Sequence, residues 1–241
     1  MRFLTLEQYL NNRDVLINKE EFDSTSAKLK IEDIYSQIDI INEIHKILSE
    51  YPYDIIPTVP SRIGEDFEEF KVLYRKVSRA ALKDYYPEHI KDEVYKVLLN
   101  AEKAIGYIDN SNYLSILRRA MDNGEIILGN CDFRHLKYNE KIIINSVKGV
   151  CYNIIESDYG KFLMKLRKYS VVTSYGDFID YIVKSEKLQD NSKVFLMGYI
   201  LYPQESMKLL QKYKEGKKQW NEETFYYKFM KACEFDNSIT I

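Results

Sequence analysis

Residues 126–168 read IILGNCDFRHLKYNEKIIINSVKGVCYNIIESDYGKFLMKLRK. Two β-type runs, Ile126-Ile127 and Ile142-Ile143-Ile144, flank a turn at Asn139-Glu140, because β-branched side chains crowd a helix and suit a pleated surface. Beyond them Phe162, Leu163, Leu166 and Tyr169 recur at helical spacing and make one apolar stripe. The segment is therefore read as a hairpin over 125–147 followed by an amphipathic helix, with Asp158 of Ser157-Asp158-Tyr159-Gly160-Lys161 at the helix start.

Around this segment helical periodicity dominates. Ile31, Ile34, Ile38, Ile41, Ile44 and Leu48 line one face of a helix, with Glu32, Asp33, Gln37 and Glu43 elsewhere. Phe67, Phe70, Val72, Leu73, Val77, Ala81 and Leu82 predict a second, entered through Gly64-Glu65-Asp66. Pro87 and Glu88 open a third that carries Ile90, Val94, Val97, Leu98, Ala101 and Ile105. Asn110-Ser111 is a capping signal for a short helix with Tyr113, Leu114, Leu117 and Ala120, ended by Asp122-Asn123-Gly124. Later stripes fall at Phe178, Ile179, Ile182 and Val183, and at the nearly continuous 194–201. Pro203 starts the next helix, with Met207, Leu210 and Tyr213. Gly216 breaks it, and Asn221 caps a last helix from Glu222 to Cys233. The only other strand expected is at residues 1–4. Residues 51–60 carry three prolines but also Ile55, Ile56 and Val59, which reads as a packed loop.

The chain has 241 residues, 45% of them apolar and 30% charged, enough for one sizeable core under a charged surface. A net charge of −2 gives no electrostatic case for nucleic acid. No run is long and apolar enough for a membrane span, and the start, Met-Arg-Phe-Leu-Thr-Leu-Glu, lacks the apolar core of a secretory signal. Cys131, Cys151 and Cys233 form no close pair, as in a reducing compartment.

Three further stretches carry a resemblance. They are Phe3-Leu4-Thr5-Leu6-Glu7-Gln8-Tyr9-Leu10-Asn11-Asn12-Arg13, residues 40–47 with His45, and the basic, tryptophan-containing bend at 213–220. In order and spacing, together with 126–168, they resemble the spore coat protein S family of endospore-forming bacteria, a branch of the aminoglycoside/choline kinase-like superfamily. The resemblance implies a kinase-like large lobe: 1–13 as a hinge-like remnant, 125–147 as the catalytic-loop hairpin and 154–241 as C-terminal helices, all in one domain over 1–241. The small nucleotide-gripping lobe is then largely absent, and the face it covers would expose apolar surface unless recoated or occupied by a partner.

The family's catalytic loop reads H-G-D-x-x-x-x-N, with a further metal-binding Asp after the turn. Aligned on Gly129, Leu128 stands at the family His, Asn130 at the catalytic Asp, His135 at the metal-binding Asn and Asn145 at the metal-binding Asp. Asn cannot act as a general base, and an amide at 145 removes the negative charge that Mg²⁺ prefers. A shifted alignment puts Asp132 at the catalytic position, but Lys137 then falls at the metal Asn and Asn145 is still neutral. The glycines form no G-x-G; Gly124 and Gly129 have the outer spacing of a phosphate loop, but Asn130 follows instead of Lys. Asp158 resembles the family's helix-start Asp, which bonds backbone amides of the catalytic loop. The plainer reading is a helix cap, and on either one Asp158→Ala should cost about 1–2 kcal/mol.

Other constellations are weaker. Cys131, His135 and Cys151 lack the fourth ligand and paired spacing of a zinc site, and a Cys131-His135 nucleophile lacks an orienting partner. His45 is expected to be packed and hydrogen-bonded, and His89 exposed. Residues 212–220 could touch phosphates or an acidic partner; a solvated bend with Trp220 packed inward is the simpler reading.

The fold expected is thus mainly α with one small β-hairpin, and the function that of a non-catalytic, pseudokinase-type scaffold or interaction protein. The family resemblance implies the spore coat or its assembly, in the mother-cell cytoplasm or the coat itself. Other proteins, including coat components, and a second copy of the chain are the expected partners, with no metal, cofactor, nucleic acid or membrane. Two alternatives remain. One is residual small-molecule binding or phosphotransfer in the old substrate cleft, with Asp177 and Asp180 lining it. The other is an unrelated all-helical adaptor, for which 125–147 would be helical.

Overall fold

The computed structural model describes residues 5–20, 22, 29–52, 59–169, 174–216, 218 and 220–238. The strand expected at 1–4 and the centre of the 51–60 loop lie outside the described residues. Within them the chain is mostly helical, with short strands in two small sheets.

Thr5 caps α1 (Leu6–Asn12): its hydroxyl accepts from the Gln8 amide, and the Gln8 side chain accepts from the Thr5 amide. Residues 6–12 of the hinge-like segment are therefore helical. β1 (Val15–Ile17) follows, a strand not among those expected. In α2 (Ile31–Ser49) Ile34, Ile38, Ile41, Ile44 and Leu48 are completely buried, each worth about 1.5–3 kcal/mol of apolar transfer. Gln37, assigned above to the polar side, is also buried. Its amide donates to the carbonyls of Cys131 (2.9 Å) and Leu136 (3.0 Å), which an irregular loop would otherwise leave unpaired.

α3 (Glu65–Ala81) leaves from Gly64, and α4 (Lys91–Asn110) follows a 3₁₀ turn at Glu88–Ile90. α5 (Tyr113–Asn123) ends at a left-handed Gly124. Its N-terminus differs from the expected capping signal. The Ser111 hydroxyl bonds back to the Ile108 carbonyl and closes α4, while a left-handed Asn112 opens α5 without a side-chain cap.

The strands also pair differently from the sequence reading. The turn at Asn139-Glu140 joins β3 (Leu136–Asn139) to β4 (Lys141–Ile144). β2 (Ile126–Ile127) pairs instead with β5 (Cys151–Tyr152), in a separate sheet. β1 lies parallel to β4, giving the order β1-β4-β3. The hairpin thus runs from 136 to 144, and its first partner is not Ile126-Ile127. Residues 125–147 are not helical, so the observation that would favour an all-helical adaptor is not found. The row Leu16–Ile143–Lys137 crosses the sheet, with Leu16 46% exposed and the Lys137 ammonium 4.0 Å from the ring centroid of Phe22.

The remaining helices are α6 (Glu156–Leu166), α7 (Gly176–Ser185), α8 (Asp190–Leu201), α9 (Gln204–Lys214) and α10 (Glu222–Asn237). Asn221 caps α10 by accepting from the Thr224 amide. Helix α4 packs along α8, α3 against α4 and α9, and α9 against α10. Gly198 permits the α4–α8 approach, since a Cβ there would lie 2.7 Å from Ile108 and 2.9 Å from the Ala104 carbonyl oxygen. Trp220 is half-buried and stacks on Phe225, which in turn stacks on Tyr213 at 3.8 Å. No described helix is long and apolar enough to cross a membrane.

Two buried ion clusters tie the elements together. Arg119 of α5 forks onto Glu125 and Glu156, and the Ser192 hydroxyl donates to the same Glu156 carboxylate. Glu156 is completely buried, so its charge depends on this fork. Arg167, in the turn after α6, pairs with Asp236 at 3.3 Å, and Asp236 also accepts the Ser206 amide at the start of α9.

Candidate functional site

The loop 128–135 leaves β2 and is held from two helices. From α6, Asp158 accepts the Leu128 amide through Oδ2 (2.9 Å) and the Gly129 amide through Oδ1 (2.8 Å). From α2, His45 sets Nε2 3.1 Å from Asp158 Oδ2 and Nδ1 2.8 Å from Glu186 Oε1. The Tyr159 hydroxyl donates to the same Glu186 oxygen at 2.5 Å. Asp158 is the third residue of α6, with Ile155 at the cap position, so its carboxylate serves the loop rather than capping its own helix.

His45 is buried. Burial works against its charge, but the hydrogen bonds it donates to Asp158 and Glu186 outweigh that and raise its pKa to about 9 from 6.5. Asp158 is lowered in turn: burial opposes its charge, and the His45 bond wins. Folding therefore captures a proton on His45. The stabilisation is complete below pH 6.5 and is lost as pH rises through about 9. It amounts to about 3 kcal/mol. Unfolding free energies measured from pH 6 to pH 10 should fall over that window in the wild type and change less in His45→Gln. Parallel curves would contradict the pairing.

Loop shape depends on a contact between two glycines. Gly129 has φ +86°, and a Cβ there would lie 2.5 Å from the Gly149 carbonyl oxygen. Gly129→Ala is expected to destabilise by about 2–3 kcal/mol, combining backbone strain with overlap. An unchanged denaturation midpoint would show that the two loops can part.

The expected site residues fall as follows. Asn130 is exposed and approaches Gly149. His135 and Asn145 come together across the end of the hairpin, where the Asn145 amide donates to the His135 carbonyl at 3.1 Å. The His135 ring turns to Asp132, with Nδ1 2.6 Å from Oδ1, while Lys165 of α6 donates to the other oxygen. Burial would raise the Asp132 pKa, but Lys165 and His135 hold it below its usual value. Lys137 lies on the sheet, over Phe22. Asp180 of α7 pairs with Lys193 of α8 at 2.5 Å, and Asp177 is exposed. His89 is exposed, beside Tyr226.

This donor set does not fit Mg²⁺. The ion asks for anionic oxygens free to coordinate. Asp132 has one oxygen taken by the Lys165 ammonium and the other by the His135 ring, Asp158 has both taken by amides and an imidazolium, and positions 130 and 145 carry amides. Burial pushes the Cys131 thiol well up and raises Cys151 to about 11, so neither is a ready thiolate. Among the described residues no three His, Cys, Asp or Glu side chains converge as a metal site.

The triad of His45, Asp158 and Glu186 was missed as a unit. Its members are far apart in the chain, and only the apolar surroundings of His45 hinted at a buried partner. Compared with protein-family models and with curated proteins, the chain matches no family and no relative.

Proposed function

We propose that the chain is a catalytically inactive, kinase-like large lobe that works as a scaffold or interaction protein. One observation carries this reading. The Asp158 carboxylate grips the backbone of a loop as a phosphotransferase would need, while the loop presents no free acid. Phosphotransfer depends on metal and positioned charge, and here every nearby carboxylate is engaged inside the protein. The bracing outlives the chemistry in this reading, because it stabilises the fold whatever the loop does.

Association with the bacterial spore coat or its assembly, in the mother cell or the coat, rests on the family resemblance alone, since fold does not fix function. Partners would be coat components or a second copy of the chain, covering the sheet face around Leu16. Calorimetric titration with ATP and Mg²⁺ tests the loss of chemistry. No saturable heat is expected, and Mg²⁺-dependent binding tighter than about 1 mM would overturn the proposal. A fluorescent fusion that never reaches the coat of a sporulating cell, nor its assembly sites, would remove the spore role. A light-scattering mass equal to the monomer would remove the second copy.

A further inference from the structure

A cleft of about 340 Å³ lies between α3, α6 and the start of α9. Its walls differ in charge. Lys161, Lys165 and Arg167 come from α6 and the turn after it, and Asp66 and Glu69 from α3. Helix α9 adds one charge of each sign, Glu205 and Lys208. Lys161 and Asp66 meet at 3.2 Å, so both walls are within reach of one small molecule.

One residue lining the cleft carries a buried polar atom without a partner among the described residues. The Arg167 side chain is 1% exposed; its terminal nitrogens serve Asp236 and the Ile200 carbonyl, and its Nε has no acceptor among the described residues. Tyr199, 2% exposed, also lines the cleft. Buried donors left unmade are destabilising, and proteins keep few of them. Here the residue carrying one lines a cavity whose size is at the lower end of ligand sites, about 300–1,000 Å³.

The charges narrow the ligand. A multiply charged anion would face three carboxylates, Asp66, Glu69 and Glu205. A simple cation would face four basic groups. A molecule with one charge of each sign suits both walls. We propose that this cleft binds a small zwitterion of the α-amino-acid class, its carboxylate toward Arg167 and Lys161 and its ammonium toward Glu69 and Asp66. Lys165 lines the cleft and also holds Asp132, so the site abuts the braced loop. The proposal does not depend on the kinase-like reading.

The test is calorimetric titration of the whole protein with each of the common α-amino acids. The N-acetylated and decarboxylated forms of the best binder, and inorganic phosphate, follow. At least one amino acid should bind saturably, and removing either its charge or the opposite one should weaken it at least about tenfold. Glu69→Gln and Lys161→Met should each weaken it by a similar factor. Both side chains are partly exposed, and the melting temperature of the unliganded variants checks that the fold persists. Binding by no amino acid would overturn the proposal. Binding of phosphate alone would make the cleft a plain anion site, and binding unchanged in both variants would place the ligand elsewhere.

Discussion

Asp158→Ala should destabilise the protein by about 3–5 kcal/mol, because it strips the counter-ion from a buried imidazolium and two buried amides at once. This exceeds the 1–2 kcal/mol expected for a cap, since the carboxylate serves Leu128, Gly129 and His45 together. Glu186 alone would remain beside His45, and the raised pKa of about 9 would fall. Asp158→Asn should lose less, since its amide oxygen can still accept one backbone bond. Urea denaturation of the two variants measures both numbers. A loss below about 1 kcal/mol for Asp158→Ala would mean that the loop holds its shape without the brace.

Arg119→Ala should be of similar size. Glu156 is completely buried and Glu125 nearly so, and their charges are compensated by one guanidinium. Removing one partner of a buried ion pair leaves the other unpaired in low dielectric, which costs about 3–5 kcal/mol. Most of that is a penalty on the carboxylates rather than the worth of the pair. The triple variant Arg119→Met, Glu125→Gln, Glu156→Gln should therefore recover part of the stability lost in Arg119→Ala. If the three substitutions instead add independently, the cluster is not a unit.

Some helix ends were legible because local chemistry sets them, though the Asn110-Ser111 signal closes α4 instead of opening α5. Gly64, Gly124 and Asn221 mark ends where a left-handed residue or a side-chain cap is needed, and the chain turns there. The turn at Asn139-Glu140 was legible for the same reason, Glu140 having φ +60°. Strand partners were not. A two-residue strand such as Ile126-Ile127 has no periodicity, and its pairing with Cys151–Tyr152 depends on how distant segments meet. β1 is three residues long and finds Ile142–Ile144 far along the chain, so nothing near Val15 announces it. At the site, residue identity showed that positions 130 and 145 carry amides. It could not show that Asp132 is consumed by Lys165 and His135, or that His45 stands between two carboxylates, because burial and distance decide those charges.

The direct measurement is an NMR titration of the His45 imidazole in the intact protein. With Asp158 and Glu186 closed around it, the ring should still be an imidazolium at pH 7.5 and titrate near pH 9, with the midpoint falling in Asp158→Asn. A midpoint at or below 6.5 would mean that those carboxylates do not enclose it, and that Asp158 is free for other chemistry.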